Sequence, residues 1–167
     1  MSRLEQPKMI LICGKICSGK TTYTKKLIKE IGAVHLSCDE ITLALFGGQI
    51  GEKHQEMVAN TINYLFNKSL EILNIGVSVV LDIGFWQKSE RDEATAFYSK
   101  HGIVPEWHYI DVTDDVWKSD IEKRNANIKN GKANEYYIDD NISKMFSELF
   151  ETPSKDEIDV WITNDWS

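Results

Sequence analysis

One short stretch constrains this chain more than any other part of its sequence. Residues 14–21 read Gly-Lys-Ile-Cys-Ser-Gly-Lys-Thr and fit the pattern G-x-x-x-x-G-K-[ST] in full. The glycines permit a tight loop whose backbone N–H groups turn inward around phosphate oxygens. Such a loop needs a buried strand before it and a helix after it. The apolar run Met9–Cys13 and the amphipathic segment 21–31 meet both requirements.

The loop residues have separate expected roles in binding a nucleoside triphosphate. Lys20 is expected to reach the β- and γ-phosphates, and the Thr21 hydroxyl to ligate Mg²⁺. The positive end of the following helix points at the same anion. A plain glycine-rich connection between strand and helix is the alternative interpretation. We therefore predict an ATP and Mg²⁺ site whose cofactor-binding residues are Gly14, Lys15, Ile16, Cys17, Ser18, Gly19, Lys20, Thr21 and Thr22.

Apolar runs and amphipathic segments alternate along the rest of the chain, without an internal repeat or a linker. We predict further strands at 34–37, 77–82, 107–112 and 158–162, and helices at 39–46, 53–74, 88–101, 114–129 and about 138–150. Strands separated by helices favour a three-layer α/β fold, a parallel sheet with helices on both faces. Ligands of such sheets bind beyond the carboxyl ends of the strands.

Composition excludes several classes of protein. A chain of 167 residues is expected to form a single domain, here 1–167, and its apolar runs are far shorter than the roughly 20 residues of a membrane-spanning helix. We expect no membrane association and no signal peptide. Three cysteines do not suit a disulfide framework and indicate a reducing, cytoplasmic location. The net charge of −7 argues against nucleic acid as a partner.

Four features outside the loop carry a resemblance to a known family. Asp39 follows the second strand, the sequence Leu-Asp-Ile-Gly-Phe-Trp occupies 81–86, Arg124 and Asn125 come late, and 146–153 precede the last strand. With the early phosphate loop, this arrangement resembles the P-loop kinases of small hydroxylated substrates. They include shikimate and gluconate kinases, chloramphenicol phosphotransferase, zeta-type toxins and polynucleotide 5′-hydroxyl kinase. The likeness spans about residues 8–163.

The resemblance implies a P-loop NTPase fold with a five-stranded parallel sheet in the order 2-3-1-4-5. It also implies a lid near residues 124–137 and ATP-dependent transfer of the γ-phosphoryl group to a hydroxyl of a small molecule, with Mg²⁺ as cofactor. The enzyme class is a phosphotransferase with an alcohol group as acceptor. Acceptor identity, preference for ATP or GTP, and oligomeric state stay open.

Two aspartates follow from the resemblance as site residues. Asp39 is the candidate base that orients the acceptor hydroxyl and takes its proton. Its alternative is a helix N-cap. Asp82 closes an apolar strand and is the candidate metal ligand beside Thr21. The alternative role of Asp82 is structural, with its carboxylate hydrogen-bonded to the local backbone. The two aspartates could also exchange roles.

Three further residues complete the predicted site. Arg124 is expected to stabilise charge on the transferring phosphoryl group and joins Lys20 and Asp39 as catalytic. The family often has arginines where this chain has Asp120 and Ile128, so Arg124 carries the lid chemistry. Trp86 and Arg91 are candidate substrate-binding residues. Their alternatives are core packing for the indole and a solvated charge run for the guanidinium.

Three functions compete at this stage. The first is a small-molecule kinase whose acceptor pocket is built from residues 39–51, Glu52 and residues 85–91. The second is an ATP-binding regulator or ATPase without a second substrate, which the reduced set of lid arginines keeps open. The third is a polynucleotide 5′-hydroxyl kinase, which requires a basic channel that the acidic composition does not favour.

Overall fold

Five parallel strands form one sheet in the order β2-β3-β1-β4-β5, which confirms the predicted topology. The structure is a computed structural model that describes residues 6–47, 54–132 and 137–165. The strands are β1 Met9–Cys13, β2 Val34–Ser37, β3 Val79–Gly84, β4 Glu106–Asp111 and β5 Val160–Thr163. The helices are α1 Lys20–Ile31, α2 Cys38–Phe46, α3 His54–Asn74, α4 Lys88–Lys100, α5 Asp114–Lys129 and α6 Asp140–Leu149, with a 3₁₀ turn at Lys155–Glu157.

The central strand β1 is buried on both faces, as its unbroken apolar run predicts. Met9, Leu11 and Cys13 join a core cluster with residues of α3 and α4. Ile10 and Ile12 pack on the other face, against residues of α1. Because β1 lies between helices on both sides, the loop that follows it is held at the centre of the sheet.

The third strand departs from the prediction in a way that matters for the site. The predicted strand 77–82 is β3 Val79–Gly84, which begins and ends two residues later. Asp82 therefore lies within β3, in register with Ser37 of β2 and Ile12 of β1. The expectation that Asp82 closes its strand is wrong, because the pairing with β1 continues past a bulge to Gly84.

Helix α2 begins one residue earlier than predicted, and Ser37 is its N-cap. The Ser37 hydroxyl accepts a hydrogen bond from the Glu40 backbone N–H at 3.2 Å. A side-chain oxygen that accepts from the first turn is the usual N-cap arrangement. Asp39 lies inside the first turn, so its alternative role as the cap does not apply.

Helix α6 contacts two separate groups of side chains, one beside α5 and one after β3. Its Ile142 packs against a cluster formed by Val112, Trp117, Ile121 and Ile138 on the α5 side. Phe146, one turn further on, makes an edge-to-face contact with Trp86, which follows β3. In the part of the chain that the structure describes, no helix is long and apolar enough to cross a membrane.

Candidate active site

The phosphate loop connects β1 to α1 and is already folded around the ammonium group of its lysine. Lys20 Nζ donates to the backbone carbonyls of Gly14 at 3.0 Å and Lys15 at 2.7 Å. Cys17 and Gly19 adopt positive φ angles of 58° and 94°. These turns bend the backbone into the concave shape that an anion-binding loop needs.

Gly14 is required by close packing rather than by its backbone angle. A Cβ atom at this position would lie 2.7 Å from Ser18 Oγ and 2.9 Å from the Ile110 backbone oxygen. The Ile110 carbonyl belongs to β4 and cannot rotate away as a side chain can. Ser18 itself is fully buried, and its hydroxyl has no hydrogen-bond partner among the described residues.

Two side chains from distant elements hold the loop from outside. The Trp117 indole Nε1 on α5 donates to the Ile16 carbonyl at 2.6 Å. After β5, Asn164 donates from Nδ2 to the Ser18 carbonyl at 3.0 Å. The Asn164 backbone N–H is bonded to the Asp111 carbonyl at 2.8 Å. Sequence reasoning missed both residues, because nothing in their local pattern distinguishes them from ordinary packing residues.

Lys15 and Arg124 both connect the loop region to α5. Lys15 Nζ lies 3.6 Å from an Asp114 carboxylate oxygen and 4.9 Å from the centre of the Trp117 ring. Arg124 Nη1 donates to Cys17 Sγ at 3.5 Å. The structure thus brings the predicted lid arginine against the phosphate loop, although 107 positions separate Arg124 from Cys17 in the sequence.

The Asn125 side chain makes two hydrogen bonds to the Ile138 backbone, across the predicted lid. Its Oδ1 accepts from the Ile138 N–H at 2.9 Å, and its Nδ2 donates to the Ile138 carbonyl. The contact joins the two ends of the segment that the resemblance assigns to the lid, 124–137. Residues 133–136 of that segment lie outside the described residues.

The Asp82 carboxylate, near the phosphate loop, has a pKa that departs from its ordinary value. Burial raises its pKa, the charge of Lys20 lowers it, and the charge of Asp39 raises it; the net pKa is above the ordinary value. The charge of His35 and the hydrogen bond from the Gly84 backbone N–H also lower the pKa of Asp82. The balance indicates a partly buried carboxylate whose negative charge Lys20 only partly compensates.

Asp39 lies exposed in the first turn of α2, beside the buried Cys38. Burial raises the pKa of the Cys38 thiol to about 12, and the charges of Asp39 and Asp82 add to that effect. Asp82 pairs with Ser37 of β2, two residues before Asp39, and with Ile12 of β1, two residues before the phosphate loop. The strand register therefore places both aspartates near the carboxyl ends of neighbouring strands, beside the strand that leads to Lys20.

Trp86 follows the bend that ends β3. Gly84 and Phe85 have positive φ angles of 95° and 48°, and a Cβ at Gly84 would lie 2.7 Å from the Trp86 indole nitrogen. The indole therefore folds back over the end of its own strand, and its ring centre lies 4.7 Å from that of Phe146. The part of the predicted acceptor pocket formed by residues 48–52 lies outside the described residues.

Arg91 is a structural residue, contrary to the expectation that it binds substrate. It is only 3% exposed. Its Nη1 donates to the carbonyls of Phe85 at 3.2 Å and Glu151 at 3.1 Å. Its Nε donates to the Glu157 carboxylate at 3.1 Å. The Nε and Nη1 donors of the guanidinium are therefore already used by a carboxylate and by backbone carbonyls of other segments.

One known protein family matches most of the chain. Residues 9–146 match the family described as AAA domain. The chain belongs to the AAA domain family. No curated protein matches it significantly.

Solved structures similar to this AAA domain include several kinases. The APS kinase of Mycobacterium tuberculosis, in complex with AMPPNP and APS, has a TM-score of 0.60 at 19% identity. The match covers 96% of this chain and 91% of the APS kinase chain. A gluconokinase from Sinorhizobium meliloti 1021 has a TM-score of 0.62 at 14% identity, with coverages of 97% and 85%. A chain of the Pnkp1/Rnl/Hen1 RNA repair complex has a TM-score of 0.70 at 15% identity, with coverages of 86% and 43%. The fold implied by the resemblance is confirmed.

The donor set of this AAA domain suits the magnesium ion that the fold family implies. Among residues 6–47, 54–132 and 137–165, no three His, Cys, Asp or Glu side chains are grouped to hold a metal by themselves. Mg²⁺ usually takes one or two protein oxygens and completes its shell with phosphates and water. Asp82, with its partly compensated charge, and the exposed Thr21 are oxygen donors of this kind.

Proposed function

We propose that this protein is an ATP-dependent kinase that transfers the γ-phosphoryl group to a hydroxyl of a small molecule. The observation that carries the proposal is the strand register, in which Asp82 pairs with Ser37, two residues before Asp39, and with Ile12, two residues before the phosphate loop. Phosphoryl transfer needs a cation at the phosphates and a carboxylate at the acceptor hydroxyl. The neighbours named gluconokinase and APS kinase support a small-molecule acceptor.

The phosphate loop and Lys20 bind the nucleotide in this proposal. The Lys20 ammonium group exchanges its bonds to the Gly14 and Lys15 carbonyls for phosphate oxygens, which carry far more negative charge. The backbone N–H groups of residues 15–21 and the start of α1 surround the same anion. Thr21 and Asp82 would hold Mg²⁺, which supplies neutralisation of the phosphate charge.

Asp39 acts at the acceptor. Its carboxylate is exposed at the start of α2, so a second substrate can reach it while the nucleotide occupies the loop. A carboxylate at this position orients the acceptor hydroxyl in line with the γ-phosphorus and receives its proton. Asp82 is the alternative base, because burial keeps its pKa above the ordinary value.

Arg124 and the segment 124–137 form the proposed lid. The guanidinium already lies against Cys17 of the loop that binds the phosphates in this proposal, where its donors would stabilise charge on the γ-phosphate. The Asn125–Ile138 contact would keep the two ends of the lid together when it closes.

The decisive experiment is a panel of hydroxylated metabolites with Mg-ATP, scored for both ADP and a phosphorylated product. A kinase forms a phosphate ester with at least one alcohol, and Lys20→Met abolishes both the ester and the saturable binding of a fluorescent ATP analogue. Lys26→Met is the matched control, because Lys26 lies on the exposed face of α1 and pairs with Glu30. ADP formation that no alcohol stimulates would instead identify an ATPase or regulator.

The RNA repair neighbour favours testing one further acceptor, a 5′-hydroxyl oligonucleotide. A polynucleotide acceptor requires cations along the path of the strand. We expect no phosphorylation of the oligonucleotide, since the net charge of the chain is −7. Phosphorylation of the oligonucleotide in preference to every small alcohol would replace the proposal with this second function.

A further inference from the structure

The two arginines of the described residues both contact other groups of the protein. Arg91 donates to the carbonyls of Phe85, Trp86 and Glu151 and is paired with Glu157. Arg124 lies on α5, on the side of the phosphate loop, in contact with Cys17. A guanidinium fork is the side chain best matched to carboxylate and phosphate groups. Beyond the ends of β2 and β3, the described residues therefore offer no arginine to a negatively charged substrate.

The local charge in the same region is negative. Asp39 and Asp82 both lie there, because Asp82 of β3 pairs with Ser37 of β2, two residues before Asp39. Lys88, at the start of α4, is paired with Asp92 at 2.7 Å. A carboxylate or phosphate on the acceptor would therefore approach the carboxylates of Asp39 and Asp82, and like charges brought together oppose binding.

Apolar surface lies on Trp86, close to the end of β3, and on the helix that contacts it. Trp86 follows β3 by two residues and contacts Phe146 of α6 edge to face. On the same helix, Met145 and Leu149 remain 47% and 39% exposed, although α6 is strongly amphipathic. Trp86, four residues after Asp82 in the chain, thus offers an aromatic surface that suits a substrate with a hydrophobic body and a polar reacting group.

We propose that the acceptor is an alcohol with an apolar body and no anionic group, whose body packs on Trp86 and Phe146. This inference rests on the proposed kinase function. In the step, the acceptor oxygen forms a bond to the γ-phosphorus, and the bond from the γ-phosphorus to the β–γ bridging oxygen breaks. The hydroxyl proton passes to the Asp39 carboxylate, and the products are a phosphate monoester and ADP.

The test uses alcohols that differ only in charge. 4-(Hydroxymethyl)benzamide, 4-(aminomethyl)benzyl alcohol and 4-(hydroxymethyl)benzoate present the same primary hydroxyl on the same ring. The charge comparison is repeated with nucleosides and their 3′-phosphates. We expect kcat/KM for each anionic member to be at least about tenfold below that of its neutral or cationic counterpart.

The outcomes separate this inference from the proposed function. Equal or faster phosphorylation of the anionic members would overturn the inference and leave the kinase function standing. Ester formation with none of the alcohols, while Lys20-dependent ATP binding persists, would count against the kinase function and remove the inference with it. Preference for the neutral or cationic members supports both.

The apolar part of the inference has its own variants. Trp86→Ala should lower kcat/KM for the best neutral alcohol by about tenfold without changing KM for ATP, and Trp86→Phe should retain most activity. Tyr64→Ala is the control, because Tyr64 is an aromatic residue on α3 that is 57% exposed and contacts Lys68. Unchanged kcat/KM in folded Trp86→Ala would overturn the role of Trp86. If that variant does not fold, the charge comparison in the natural protein still decides the proposal.

Discussion

The indole N–H of Trp117 donates a hydrogen bond to the Ile16 carbonyl and thereby fixes the phosphate loop to helix α5. Ile16 and Cys17 of the loop pack against the same cluster, which contains Trp117, Val112 and Ile121. The phosphate loop is therefore attached on its outer side to the helix that carries Arg124. A change in the packing of α5 should therefore alter the affinity of the loop for the nucleotide.

Removing the Trp117 hydrogen bond should weaken nucleotide binding. Trp117→Phe keeps an aromatic ring but loses a bond worth about 1 kcal/mol, which corresponds to roughly a fivefold rise in Kd for ATP. Titration with a fluorescent ATP analogue measures the change. Trp107→Phe is the matched control, because its indole donates to Thr95 Oγ1 at 3.1 Å, on α4 rather than on the loop. Equal effects of the two variants on Kd would contradict a specific role for Trp117.

Adding a methyl group at Gly14 should disrupt the loop by steric contact. Gly14→Ala places a Cβ 2.9 Å from the rigid Ile110 carbonyl, so we expect saturable ATP binding to be lost. Gly102→Ala separates steric contact from backbone strain. Gly102 has a φ of +71°, and a Cβ added there would meet no atom within 4 Å. That variant should lose about 1 kcal/mol of stability and bind ATP normally.

The two aspartates should give different kinetic signatures. Asp39→Asn removes the proposed base, so kcat should fall by orders of magnitude, on the order of 10²–10⁴-fold, with little change in Kd for ATP. Asp82→Asn removes a metal ligand, so the Mg²⁺ concentration needed for half-maximal activity should rise. Initial rates measured over a range of Mg²⁺ concentrations distinguish the two effects. The reverse pattern would exchange the two roles, and unchanged turnover in Asp39→Asn would exclude it as the base.

Arg91 should prove essential for stability and not for substrate recognition. Arg91→Met removes the hydrogen bonds from Arg91 to the Glu157 carboxylate and to the carbonyls of Phe85 and Glu151, and breaking a buried ion pair costs about 3–5 kcal/mol. Urea unfolding measures the loss. The double variant Arg91→Met/Glu157→Gln should recover part of it, because no unpaired carboxylate remains. A raised KM for the acceptor with unchanged stability would indicate substrate binding instead.

A partly buried hydrogen-bond chain on the α1 face of the sheet should make stability depend on pH. The Tyr23 hydroxyl is 2.8 Å from His108 Nδ1, and His108 Nε2 is 2.7 Å from a Glu106 carboxylate oxygen. Since the carboxylate can only accept, Nε2 carries the proton and Nδ1 accepts from Tyr23 when the ring is neutral. The bond from His108 holds the pKa of Glu106 below its ordinary value, although burial acts in the opposite direction.

The sign of the effect follows from the lowered pKa. A carboxylate with a lower pKa in the folded state stabilises the protein fully above its unfolded pKa, and that contribution is lost as the pH falls through the folded pKa. In Glu106→Gln, the free energy of unfolding should therefore fall less as the pH is lowered. Urea unfolding at a series of pH values measures this. Glu148→Gln, on the exposed face of α6, should leave the acid-side profile unchanged.

Local pattern was sufficient to predict the phosphate loop, the number of strands and the helices that separate them. Those features depend on spacing along the chain: glycines at fixed intervals, apolar runs, and three- and four-residue periodicity. The strand order came from the resemblance, which the sheet confirms. The ends of β3 and α2 were misplaced by one or two residues, because strand pairing and the Ser37 cap decide them.

The sequence by itself determined that this chain folds as a parallel α/β sheet with a phosphate loop after its central strand. Only the tertiary structure decided what Arg91, Trp117 and Asn164 do. Arg91 lies in a charge run typical of a solvated surface, yet it is buried by segments 60 and 66 residues away. Trp117 and Asn164 reach the loop across 101 and 146 residues. Contacts at such separations depend on how the elements pack, which no local pattern encodes.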